Sequence, residues 1–406
     1  MNLFKKKRIY LDYAAATSVR KEVVKAMRPY WNEVYANPSA IHAEGVRARG
    51  AIESARETIA RVLRVTPNDI LFTSGGTESN NIALRGSVLA MRNSGLKPEE
   101  IEIISTEVEH PSILKTLEHL KKEGCVITYA PVDQDGLIKA EELSKLLSPR
   151  TRIVSVAYAN SETGVVQDIA KLSRRIKVFE RENGIEVYFH TDASQAPLWL
   201  PCALDALGVD MMTLDAGKCA GPKGVGVLVV RPRAKHAAPP PPPATFGGSQ
   251  ESGLRPGTEP TPLVVGAAVA LDLAQKESGT LSGRVATLRD RWLEDLLSID
   301  GVLLNGSLEH RLPNNVNISI PGFDSEFAVI VLDHTGVAAS TKSACAGAGS
   351  GRSQVVFSMT KDEARAAATI RFSLSPATTY LELKKVTQIL RKHLEKMRTA
   401  TSFDHK

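Results

Sequence analysis

The sequence predicts an α/β protein whose mostly parallel sheet is sandwiched by helices, followed by a smaller α+β domain. Short apolar runs alternate with stretches in which apolar residues recur at helical spacing. The runs end in glycine or small polar residues, where the next helix begins. A chain of 406 residues, 43% of them hydrophobic, also has the material for two or three structural units with a well-buried core.

The elements follow in order. From Ile52, Ala55, Ile59, Val62 and Leu63 recur with charges between them, as on an amphipathic helix, and Pro67-Asn68-Asp69 then marks a turn. Ile70 to Thr73 reads as a strand that enters Ser74-Gly75-Gly76-Thr77 and a helix through Ile82, Leu84 and Leu89. The alternation returns with Ile101 to Ser105 before a helix through Leu114 and Leu117. It returns again with Arg152 to Ala157 before one through Ile169, Leu172 and Ile176. Val187 to His190, Met211 to Leu214 and Val225 to Val230 add strands. Pro239 to Pro243 lacks backbone donors and is expected in a surface loop. Leu263 to about Glu277 reads as a connecting helix, and Asn315 to Ile320 as a strand of the second domain. The expected division is an N-terminal segment 1–20 packing with the small domain, a large domain 21–262, a small domain 263–398 and a frayed tail 399–406.

Composition narrows the function classes. The net charge of +6 comes from Lys and Arg scattered among Glu and Asp, as on solvated helix faces, so no nucleic-acid partner is expected. Basic residues Lys5 to Arg8 are followed by Ile9, Tyr10 and Leu11 and then at once by Asp12, which is no secretion signal. No stretch approaches the roughly 18 apolar residues of a membrane span, and a cytoplasmic location is expected. Cys125, Cys202, Cys219 and Cys345 lie far apart, which indicates neither a metal site nor a disulfide framework. The first three read as small buried hydrophobes; Cys345 sits instead among small residues, in Ser343-Ala344-Cys345-Ala346-Gly347.

Candidate chemistry gathers at strand ends, where ligands of such sheets bind. Gly75-Gly76-Thr77 opens a helix, so its amides and the Thr77 hydroxyl suit a phosphate, or form an ordinary capped turn. Asp192 ends a strand and suits a protonated pyridine nitrogen, or caps the next helix; Gln195 lies just beyond it. Lys218 falls in a bend between two strands, where an amine forms a Schiff base if burial favours its neutral form; a lone lysine is otherwise a solvated charge. His110 opens a helix after a strand, placed to stack on a flat ring, to move protons, or to sit on the surface at a helix end.

Together these segments resemble the cysteine desulfurases, class V aminotransferases within the fold type I pyridoxal-phosphate enzymes, over nearly the whole chain. The motifs are YLDYAAAT (Tyr10 to Thr17), ANPSAIHAEG (Ala36 to Gly45), FTSGGTESNN (Phe72 to Asn81), VEHPSI (Val108 to Ile113) and ETGVVQDI (Glu162 to Ile169). They continue with HTDASQ (His190 to Gln195), KCAGPKGVG (Lys218 to Gly226), RPGTEPTP (Arg255 to Pro262), SAC (Ser343 to Cys345) and IRFSL (Ile370 to Leu374). The resemblance implies a seven-stranded sheet and pyridoxal 5'-phosphate as cofactor. Lys218 then carries the cofactor, His110 stacks on its ring, Asp192 pairs with the ring nitrogen, and Gln195 contacts the ring oxygen. Gly76 and Thr77 bind the phosphate, and Thr258 completes that site in a neighbouring subunit, which implies a homodimer. Asn37 and Arg371 hold the substrate carboxylate, a task that suits a guanidinium fork. L-cysteine becomes L-alanine, a proton shift through Lys218 weakens the Cβ–Sγ bond, and Cys345 keeps the sulfur as a persulfide. A glycine-rich loop, about 341–356, then hands it to an acceptor protein for iron–sulfur cluster assembly or tRNA thiolation.

The cofactor site departs from the family pattern in places. The family has a serine and a histidine before its lysine, in Ser-Gly-His or Ser-Ala-His, where this chain reads Asp215-Ala216-Gly217. Ser161 stands where the family commonly has an asparagine near the ring oxygen, with Asn160 as its substitute. Two other readings follow: a selenocysteine lyase on the same fold, and a non-catalytic partner protein with a degraded phosphate site.

Overall fold

The computed structural model describes residues 8–231, 245–341 and 351–401, with side chains to residue 396. The proline run 239–243 and Cys345 lie outside the described residues. The strands are β1 (Ile9–Tyr10), β2 (Ile70–Thr73), β3 (Glu102–Ser105), β4 (Val126–Tyr129), β5 (Thr151–Ser155) and β6 (Tyr188–Asp192). They continue as β7 (Met211–Asp215), β8 (Gly226–Val230), β9 (Leu303–Leu304), β10 (Asn315–Ser319), β11 (Val337–Ala338) and β12 (Thr369–Ser373). The main sheet has seven strands in the order β2-β8-β7-β6-β5-β3-β4. Only β8 runs against its neighbours β2 and β7; the pairs from β7 to β4 are parallel.

Side chains alternate between the two faces of this sheet, as the pleat requires. Ile70, Phe72, Ile104, Val154, Phe189, Met212, Leu214, Val227 and Val229 enter one core with the helices Ala43–Leu63 and Ile169–Asn183. Leu71, Ile103, Ile153, Tyr188, Met211 and Leu228 enter the other, with the helix Pro111–Lys122 and the helical run that starts at Gly76. Strands buried on both faces need helices on both sides, and the apolar runs of the sequence carry that requirement.

A separate core lies around β10 and β12, which pair antiparallel, with Trp292 fully buried against Phe372, the ring centroids 5.2 Å apart. Ile9 and Leu11 belong to it, and β1 pairs with β11. The connecting helix is longer than its periodicity predicts, running from Thr261 to Leu297 rather than ending near Glu277. Its first turns, with Val264, Ala267 and Leu271, pack into the large core, and its later ones, with Trp292, Leu293 and Leu296, into the second. Gly279 and Gly283 read as an ending, but burial on either side outweighs their cost. The loop expected to extend to 356 is also shorter, because Ser353 caps a helix, Gln354–Thr360. At the other end of the chain the final helix continues to Thr401, three residues into the segment expected to fray.

Candidate active site

Five loops at the carboxyl ends of β2, β3, β5, β6 and β7 meet at a cavity of about 150 Å³. It is lined by Gly76, Thr77, His110, Ser161, Asp192, Gln195, Lys218 and Arg371, together with Ala14, Ala15, Asn80, Asn160, Ser194 and Asp215. A larger cavity, of about 650 Å³, lies between the helix Ala43–Leu63 and the segment 249–259; none of these eight residues lines it. Asn37 is exposed, its Oδ1 accepting the Ser39 amide, and Thr258 is exposed as well; neither lines the site cavity.

The lysine is placed by a single 3₁₀ turn, Ala216–Lys218, between β7 and β8. Thr17 holds this turn by donating to the Gly217 carbonyl at 2.8 Å and accepting the Ala220 amide at 2.9 Å. Ala220 is left-handed, at φ 60°, a conformation that costs about 1 kcal/mol without glycine. The Lys218 amine donates to the carbonyls of Ala14 and Ala15 at 2.9 and 2.5 Å, and Gln195 Nε2 donates to that of Ala14 at 3.0 Å. The YLDYAAAT segment therefore forms a wall of the site through its backbone.

Asp192 ends β6, and no helix follows for it to cap. Its Oδ1 accepts the Ser194 amide at 2.9 Å and its Oδ2 accepts Asn80 Nδ2 at 2.8 Å. Asn80 Nδ2 also donates to Ser112 Oγ at 2.8 Å, and that hydroxyl lies 2.8 Å from His110 Nδ1. Because Nδ1 also accepts the Ser112 amide, at 3.2 Å, the proton of the neutral ring resides on Nε2. Burial lowers the pKa of His110, with Lys218 pushing the same way and Asp192 and Asp215 opposing.

Next to this histidine, Glu109 is buried and accepts the Ala157 amide at 3.0 Å and the Thr106 hydroxyl at 2.8 Å. It ties the turn after β3 to the one after β5, while burial pushes its carboxyl up to about 8 against those hydrogen bonds. On β12, Arg371 is 2% exposed and donates to Asp12 Oδ1 at 2.8 Å and to the Ser161 carbonyl at 2.9 Å.

Asn160 lines the cavity beside Ser161, with part of its hydrogen-bonding capacity taken by the backbone. Its Nδ2 donates to the Val108 carbonyl and its Oδ1 accepts the Glu162 and Thr163 amides, each at 2.8 Å. Asn80, Ser112, Ser194, Glu109 and Asp12 are site or supporting residues that sequence reasoning did not single out. All five lie inside the quoted motifs, where their polarity was the available signal.

The residues fit a pyridine aldehyde with a phosphate arm at its ring end: an amine, a fixed carboxylate and a neutral imidazole share one cavity. At the glycine end, Ser194 Oγ is buried without a partner, an unused donor beside the Gly76 amide. Asp215 stands at the same end.

The family model described as Aminotransferase class-V matches residues 9–386. Cysteine desulfurase IscS of Dictyoglomus turgidum is 39% identical over 399 residues, covering 98% of this chain and 97% of that protein. The mitochondrial cysteine desulfurase of Eremothecium gossypii is 38% identical, over 96% of this chain and 76% of that protein. Among solved structures, a NifS-like protein superposes with a TM-score of 0.86 at 33% identity, over 96% of this chain and 99% of that one. SspA in complex with cysteine gives 0.76 at 34%, over 91% and 100%.

Proposed function

The chain belongs to the class V aminotransferase family, among its cysteine desulfurases, and from that premise we propose that the cavity around Lys218 is where it removes sulfur from L-cysteine. The observation that carries this reading is the convergence of Lys218, Asp192, His110, Gln195 and Arg371 on one cavity from separate segments of the chain. Pyridoxal 5'-phosphate is the cofactor; when bound, it supplies an electron sink at the substrate Cα, which weakens the Cβ–Sγ bond. Lys218 holds its aldehyde and moves the substrate proton, Asp192 keeps the ring nitrogen protonated, and His110 covers the ring. Gln195 contacts the ring oxygen beside Ser161, and Gly76 and Thr77 receive the phosphate. Arg371 binds the substrate carboxylate with its fork, sharing its charge with Asp12.

The sulfur acceptor is Cys345. Burial raises the pKa of Cys125 and Cys202, and pushes Cys219 up to about 12, so these thiols are poor nucleophiles at neutral pH. The residues flanking the Cys345 segment are tied to the site. Ser340 exchanges backbone hydrogen bonds with Arg371, and Ser353 bonds to Glu162. Cys345 follows Thr341 by four residues, about 14 Å of chain when extended. In the cavity the Cys345 thiolate takes the sulfur atom as the Cβ–Sγ bond breaks, and alanine leaves.

The protein acts as a cytosolic homodimer that passes its persulfide to an acceptor protein in iron–sulfur assembly or tRNA thiolation. No described helix is long and apolar enough to cross a membrane. Trp31, Tyr35 and Ile41 are 61%, 75% and 93% exposed, large apolar side chains near one another in sequence that a second copy would cover; on this reading Thr258 serves the partner's phosphate site. The test is a pair of variants. Lys218→Ala is expected to be colourless and to release no alanine from L-cysteine, whereas Cys345→Ser stays yellow and forms no persulfide. Undiminished alanine release by Lys218→Ala would sink the reading.

A further inference from the structure

Asp215 ends β7 with its carboxylate turned into the glycine cup. Its Oδ2 accepts the Gly76 amide at 3.3 Å and its Oδ1 accepts the Gly217 amide at 2.8 Å. A Cβ placed on Gly75 or on Gly76 would stand 3.6 Å from Asp215 Oδ2, so the carboxylate lies over the open side of the glycine pair. On its other side the cup packs against β8. β8 starts at Gly226, where a Cβ would come within 2.6 Å of the Gly75 backbone. None of the ion pairs among the described residues neutralises Asp215. The Lys223 stem passes the same turn, but its amine donates to the Thr17 carbonyl at 3.3 Å.

We propose that Asp215 selects against the phosphate arm of the cofactor: its carboxylate holds an amide that a phosphate needs, so cofactor occupancy follows cofactor supply. The inference rests on pyridoxal phosphate as the cofactor and concerns only the glycine end of the cavity. The ring end is held by other partners: Lys218 by the Ala14 and Ala15 carbonyls, Asp192 by Ser194 and Asn80, and His110 by Ser112. Two like charges about 6 Å apart, at an effective dielectric near 20, weaken binding about a hundredfold.

The experiment titrates the cofactor-free full-length chain with pyridoxal 5'-phosphate and, separately, with pyridoxal. It follows the visible absorption that appears when either aldehyde condenses with a lysine, with Lys218→Ala as the blank. Asp215→Asn and Asp215→Ser are each expected to tighten the phosphate ester about a hundredfold and to move pyridoxal by less than about threefold. Unchanged affinity for the phosphate ester in both variants, with the absorption and the unfolding midpoint intact, overturns the proposal. So does an equal gain for the two aldehydes, which would place the effect of Asp215 on the ring. If neither aldehyde produces Lys218-dependent absorption in any chain, the cofactor reading itself fails and this inference falls with it.

Discussion

Asn80 shows how much of the site's order depends on one side chain. It is 1% exposed, and its amide serves both Asp192 and the Ser112 hydroxyl beside His110. Asn80→Ala leaves the carboxylate with one fixed donor fewer and the imidazole with a looser neighbour. A hydrogen bond to a charged group contributes about 1.5–3 kcal/mol, so kcat/KM is expected to fall by about tenfold to a hundredfold. Steady-state alanine release checks this, and unchanged kinetics would remove Asn80 from the site's support. Two buried groups contribute to the pH dependence of stability. His190 is fully buried between Ser155 and Thr213, and burial lowers it to about 4. The unfolded chain takes up that proton first, so the contribution is present above about pH 6.5 and is lost as pH falls toward 4. Glu109, raised to about 8, acts in the opposite sense. The folded chain keeps a proton that the unfolded chain has released, so stability declines as pH rises toward 8. Between about pH 4.5 and 6.5 the two slopes oppose each other, so denaturant unfolding should show a net decline from about pH 6.5 to 8, and Glu109→Gln should remove that decline and uncover the His190 slope on the acid side.

At the scale of elements, the helix Thr261–Leu297 joins the two cores, and its middle is its weakest part. Gly279 and Gly283 are exposed, and a Cβ at either meets nothing within 4 Å. Glycine there lowers helix stability without serving packing, so Gly279→Ala and Gly283→Ala should each stabilise the protein by about 0.5–1 kcal/mol. A raised thermal midpoint with unchanged activity is the expected result; a lowered one would show that the helix needs to bend there. Six of the seven strands of the main sheet were legible because apolar runs and turn residues are local signals; the half-buried edge strand β4 was not. The helix's true length was not, since Gly279 and Gly283 read as a stop and only the second core, distant in sequence, overrides them.

At the scale of the molecule, Arg371 clamps three parts of the chain. It lies on β12, pairs with Asp12 next to β1, and donates to Ser161 in the loop after β5. Removing the acid leaves a guanidinium at 2% exposure with an uncompensated charge. Asp12→Ala is therefore expected to destabilise the fold by about 3–5 kcal/mol. Denaturant unfolding checks the loss, and a change under about 1 kcal/mol would mean that the pair holds little of the assembly together.

The sequence by itself determined most of the strands in the sheet domain and the helices between them, the lysine between two strands, and the family motifs on which the site residues lie. Those properties are carried by short stretches, where pleat, helical period and glycine placement act between near neighbours. The tertiary structure decided which of the singled-out residues share a cavity, leaving Asn37 and Thr258 outside it, and which partners hold them. It also turned the acid of Asp215 into the cup at Gly76, a contact between residues 139 positions apart. Direction and distance across the fold depend on how the sheet brings loop ends together, and no local pattern encodes that.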